Sequence, residues 1–283
     1  MSKNLITQEY DLSQNYELET FSFRYRGKDV RLVKLSRENV AKVEAMIRTD
    51  SKYRILGLND KEKSPFWIIE LGKRLGVIKD KNSEDDFDKI VENVVEKIDK
   101  ENGTRLTTDC KSKEEKEINA RGEMIQRIKE CINNDSLKSL EATDDNKYRI
   151  IEKLSEKTKT LNGRHHRSFA SKFCHYACFY FFEGEDAQDN FSIYDKYVLE
   201  VLPYYVMYYR EDGKIKDCDI VIKKIKEIND NYKSFQEVID KIIEVSGERI
   251  SRNGFDHLLW YYFKGDRLKK EKALKGHQND HRE

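Results

Sequence analysis

The distribution of aromatic side chains constrains this chain more than any other feature. Of its 31 aromatic residues (16 Tyr, 13 Phe and 2 Trp), 21 fall between Phe169 and Phe263, about a third of the 283 residues. A segment so rich in rings can bury far more apolar area per residue than its surroundings, so the principal core is expected there. The rest is thin in apolar side chains and heavy in charge, with 38% charged residues over the whole chain, well above the usual globular share. Two Pro and 13 Gly supply too few turn residues for a many-stranded β fold. The expectation is a mainly α protein.

Charge and cysteine usage narrow the class further. Lys and Arg number 54 against 53 Asp and Glu, a net charge of +1, so any nucleic-acid role must come from local charge rather than a global field. No long uncharged apolar run occurs, and Met1-Ser2-Lys3-Asn4 does not open into a signal-peptide core, so neither a membrane span nor export is expected. Cys110, Cys131, Cys174, Cys178 and Cys218 are irregularly spaced, which fits reduced thiols in a cytoplasmic protein better than a disulfide framework. No cofactor motif and no fixed-period repeat is apparent.

Three regions are expected: a helical N-terminal region over 1–145, an aromatic-rich core over 146–265 and a charged, frayed tail over 266–283. Phe21 to Arg26 alternates apolar with polar, Gly27-Lys28-Asp29 turns, and Val30-Arg31-Leu32 alternates again, which predicts a β-hairpin near 21–35. Ser36 is placed to cap a helix carrying Val40, Val43, Met46 and Ile47. Ser64-Pro65 marks the start of a second helix through Trp67, Ile68 and Leu71. Ser83 to Asp86 resembles a capping box ahead of the stripe Phe87, Ile90, Val91, Val94, Val95 and Ile98. Further helices are expected around Ile118 to Ile132 and around Tyr148, Ile151 and Leu154.

The first segment with chemical character is Leu161-Asn162-Gly163-Arg164-His165-His166-Arg167-Ser168. Gly163 allows a tight turn, four cationic or potentially cationic side chains crowd it, and Ser168 is placed to cap the next helix. Helix N-termini favour anions, so this turn suits a phosphate, although basic corners with solvated charges are common. In the following helix Phe169, Phe173, Tyr176, Phe179 and Tyr180 surround Lys172. An amine forced into apolar surroundings is a nucleophile in waiting, but helical statistics favour a stem that snorkels to solvent. At Phe191-Ser192-Ile193-Tyr194-Asp195 a carboxylate closes an apolar stretch, where a simple helix cap is the ordinary explanation. Cys174 and Cys178 at i, i+4 could begin a zinc site with Cys218 or His257. Buried thiols acting as small apolar residues are the commoner case, and no metal is expected.

Taken together, these pieces resemble the helix-hairpin-helix DNA glycosylases, in particular the 8-oxoguanine-type branch. Leu161-Asn162-Gly163 stands where the family has Leu-Pro-Gly, and Phe191 to Asp195 resembles the segment ending in the catalytic Asp. The resemblance covers roughly Leu161 to Val198, with a weaker echo at Asp256 to Trp260, and leaves the N-terminal half unaccounted for. It departs from the family at His165, which replaces the second hairpin Gly. In a gapless alignment from Gly163, Arg167 falls at the position of the nucleophilic Lys, and Lys172 takes that role only with a shifted helix.

The resemblance implies a helix-hairpin-helix glycosylase-like core and a double-stranded DNA partner carrying a modified base. Gly163, Arg164, His165, His166, Arg167 and Ser168 would hold the backbone. Asp195 would stabilise the sugar cation, and Lys172 would form a Schiff base. Asp256 and Trp260 would line the base pocket. Repair of damaged DNA and defence against modified phage DNA both call for such chemistry. A non-catalytic DNA-binding module and a helical protein-interaction domain remain the alternatives.

Overall fold

The computed structural model describes residues 16–49, 66–78, 86–102, 104, 106, 114–133, 136–137, 139–159, 166–216, 218–228 and 231–264. They form one two-stranded antiparallel sheet, β1 (Thr20–Tyr25) and β2 (Lys28–Val33), and ten α-helices. The helices are α1 (Arg37–Thr49), α2 (Phe66–Arg74), α3 (Phe87–Asn102), α4 (Glu114–Lys129), α5 (Tyr148–Lys157), α6 (Arg167–Phe181), α7 (Lys196–Glu211), α8 (Cys218–Glu227), α9 (Tyr232–Ser246) and α10 (Arg252–Leu259). The mainly helical expectation therefore holds, with the small N-terminal sheet beside it. Among the described residues no helix is long and apolar enough to cross a membrane. The start signals at Ser64-Pro65 and Ser83 to Asp85, and the tail over 266–283, lie outside the described residues.

The described residues group into two units. One lies within Met1–Ser64, Pro203–Lys216 and Ile242–Glu283, the other within Pro65–Leu202 and Asp217–Lys241. Each unit thus draws on more than one stretch of the chain, and two of the four divisions fall inside α7 and α9.

In the first unit the hairpin turns tightly at Arg26 (φ 49°) and Gly27 (φ 77°). Two consecutive positive φ angles make a type I′ turn, whose twist matches that of the flanking strands. Phe21 pairs with Leu32 and Phe23 with Val30, and their shared face rests on rings of α7: Phe21 lies 4.1 Å and Phe23 5.7 Å from Tyr208. An isolated hairpin is marginal in water, so this packing stabilises it. Asn39, fully buried on α1, ties the hairpin ends together. Its Nδ2 donates to the carbonyls of Glu19 and Lys34 at 2.8 Å each, and its Oδ1 accepts from the Glu19 N–H at 2.9 Å. Ser36 caps α1 as expected, its Oγ accepting from the Asn39 N–H at 3.2 Å. Helix α10 packs on α1 so closely that a Cβ on Gly254 would lie 2.8 Å from Val40 Cγ1.

In the second unit α6 is the central helix. Residues 169–178 are all buried, and α2, α3 and α5 pack around them. This is the arrangement its all-round aromatic pattern requires. Asp86 caps α3, its carboxylate accepting from the Asp88 N–H at 3.1 Å, and Ile90, Val91, Val94, Val95 and Ile98 form the buried stripe. Gly72 on α2 admits Phe181, whose Cε1 would lie 2.7 Å from any Cβ there.

Candidate active site

Helix α6 begins at Arg167, with His166 at its N-cap. Ser168, expected as the cap, instead sits inside the first turn, where its carbonyl accepts from Ser171 Oγ at 3.2 Å. The His166 side chain makes no capping hydrogen bond and is buried, while Arg167 and Ser168 are half-buried. Gly163, Arg164 and His165 lie outside the described residues.

One turn further on, Lys172 does not snorkel. It is 3% exposed, and its Nζ lies 3.7 Å from Oδ2 of Asp195, itself 9% exposed. The 23-residue separation in sequence closes because α6 leads into a 3₁₀ turn (Asp186–Asp189), and the apolar segment 191–195 then returns along the helix. Asp195 does serve as a cap. Its Oδ1 accepts from the Tyr197 N–H at 2.8 Å, and its carbonyl accepts from the Leu199 N–H at 3.0 Å, starting α7. The two carboxylate oxygens therefore divide the work: one holds a helix end and the other faces the amine.

The segment carrying Asp195 is tied down at nearly every residue. The Phe191 carbonyl lies 2.9 Å from His175 Nδ1 on α6. Ser192 donates its N–H to Gln236 Oε1 at 3.1 Å, and its carbonyl accepts from the Tyr232 hydroxyl at 2.6 Å. The Tyr194 N–H donates to Ser171 Oγ at 2.9 Å, and the Tyr194 ring packs edge-on to Phe235, 5.1 Å between centroids. Polar backbone buried without regular secondary structure requires such partners. Here two helices, α6 and α9, supply them.

Sequence reasoning missed Ser171, His175, Tyr232 and Gln236. A signal existed for Gln236: it lies four residues after Tyr232 on the otherwise apolar stripe Phe235, Val238, Ile239 and Ile242, and it is fully buried. A polar side chain at such a position implies an internal partner.

The structure brings Lys172 and Asp195 together. Asp256 and Trp260 belong to the first unit, Asp256 buried within α10 and Trp260 half-buried where that helix widens into a π turn (Trp260–Lys264). Cys174 and Cys178 are free, buried thiols, and Cys178 Sγ points at the Leu140 carbonyl, 3.8 Å away. Among the described residues no three His, Cys, Asp or Glu side chains converge as metal ligands.

Desolvation pushes the thiols of Cys174 and Cys178 well above the ordinary range, and that of Cys131 up. The thiolate is the reactive form. Iodoacetamide at pH 8 is therefore expected to spare all three in the native protein and to label them in urea. Peptide mass mapping reads the difference, and native labelling of Cys174 at the rate of a free thiol would contradict its place in the centre of the unit.

Comparison with protein-family models, with curated proteins and with solved structures finds no match to this chain.

Proposed function

We propose that the chain is a DNA glycosylase that excises a modified base, with Asp195 and Lys172 as its catalytic pair. The observation that carries this reading is the buried Lys172–Asp195 pair, 3.7 Å apart, seated early in a helix at whose start the sequence places Arg164, His165, His166 and Arg167. Buried ion pairs are weak stabilisers, because desolvation offsets most of their attraction. A pair retained at the core of an aromatic unit therefore points to chemistry.

Cleavage of an N-glycosidic bond leaves positive charge on the deoxyribose as the base departs with the bonding electrons. The Asp195 carboxylate stabilises that charge. The Lys172 amine, once its proton has passed to solvent, donates its lone pair to the sugar C1′, and the adduct opens to a Schiff base. Elimination of the 3′-phosphate then cuts the strand. The target base reaches the pair only when flipped out of the duplex. The first turn of α6, with Arg167 beside it, offers backbone N–H groups to a phosphate.

Borohydride trapping on duplex oligonucleotides carrying varied modified bases tests this reading. A covalent adduct lost in Lys172→Ala, with base release lost in Asp195→Asn, is the expected result. Base release without an adduct would assign the nucleophile to water activated by Asp195. Duplex binding without base release would leave a DNA-binding module, and absence of DNA affinity at modest salt would leave a protein-interaction domain.

A further inference from the structure

We propose that the β1–β2 hairpin is a cationic ribbon that grips the phosphate backbone of duplex DNA. This rests on the reading of DNA as the partner and adds a contact surface to it. From Thr20 to Lys34 the ribbon carries Arg24, Arg26, Lys28, Arg31 and Lys34 against a single carboxylate, Asp29, and all six are exposed. Lys34 pairs with Glu19 at 2.9 Å, and Arg31 Nε donates to the Thr20 hydroxyl at 2.9 Å. Among the described residues Arg24, Arg26 and Lys28 pair with no carboxylate. Three cations thus stand together at the open end of the ribbon.

Two further observations favour a built surface over scattered solvated charge. Arg26 is the only non-glycine residue with positive φ among those described (49°). A position that favours Asn or Gly instead carries a guanidinium, set at the tip and laid 5.2 Å over the Tyr25 ring. The opposite face of the ribbon is fixed: Tyr25 packs edge-on to Tyr204 at 5.8 Å, Phe21 packs on Tyr208, and the Tyr205 hydroxyl donates to the Val33 carbonyl at 2.6 Å. A rigid two-stranded ribbon with Arg24 and Arg31 on its free face and with Arg26 and Lys28 at its tip has the width of the major groove. Its charges meet phosphates in proportion to their number and without regard to sequence.

Fluorescence anisotropy with a labelled 25-base-pair duplex, titrated across 50–200 mM NaCl, tests this inference. The triple variant Arg24→Ala, Arg26→Ala, Lys28→Ala is expected to flatten the slope of log K against log salt by about 2 to 3, and to weaken binding roughly tenfold or more at 100 mM. Two single variants guard against misfolding. Arg26→Asn should weaken binding while keeping or raising the melting temperature, because Asn tolerates the turn better. Asp29→Asn should tighten binding, an outcome no folding defect produces. Tight wild-type binding with an unchanged slope in the triple variant would overturn the ribbon and leave the glycosylase reading intact. No wild-type binding to duplex even at low salt would overturn both. A single-stranded 25-mer bound more tightly than the duplex would overturn the assignment to duplex DNA.

Discussion

Replacing Lys172 by Met is expected to cost about 3–5 kcal/mol of folding stability, and adding Asp195→Asn is expected to return most of it. The single substitution strands a carboxylate that is 9% exposed without its cation. The second removes the charge yet keeps an oxygen to accept from the Tyr197 N–H, since Asn caps helices as well as Asp. The double variant should therefore lie within about 1 kcal/mol of the wild type, because an apolar substitute for a buried ion pair is commonly neutral or better. Both variants should be devoid of base release. A urea-unfolding double-mutant cycle reads the coupling directly. If Lys172→Met alone leaves stability within about 1 kcal/mol of wild type, the carboxylate does not depend on the amine, and the pair is an accident of proximity. If the double variant is as unstable as the single one, the pair is structural rather than chemical.

The second large effect is expected at Phe235→Ala, which should cost about 3–5 kcal/mol. Phe235 is fully buried and lies 5.1 Å from the Tyr194 ring and 5.6 Å from that of Tyr232, so its loss opens a cavity directly behind the segment that presents Asp195. Phe235→Leu, which keeps much of the volume, should cost well under half as much. Because the cavity lies behind the acid, the alanine variant should also lower the yield of the trapped adduct under conditions where it remains folded. A folded Phe235→Ala protein with undiminished yield would show that the segment keeps its position without that ring.

The elements that sequence made legible are those governed by local rules. Period-two alternation about Gly27 located the hairpin, although the turn proper is Arg26-Gly27, one residue earlier than the alternation implied. Ser36 and the stripe from Ile90 to Ile98 behaved as their spacing required. The aromatic run starting at Phe169 correctly marked a central helix. The fate of Lys172 was not legible in the same way. Whether an amine snorkels or stays inside depends on what packs over it, and the residue that faces this one, Asp195, lies 23 positions away. The anchors of the Asp195 segment were hidden for the same reason, since Ser192 and Gln236 are 44 residues apart. The two units were hidden as well: composition shifts along a chain cannot announce a unit assembled from separate stretches.

The tethering of residues 191–195 has a consequence for how the site would work. The carboxylate owes its position to side chains of two helices and to its own capping bond, so its place is set during folding. A substrate arriving there would meet an electrostatic environment already oriented. The binding free energy it releases would remain available for extracting a nucleotide from the stack, with none diverted to organising the acid.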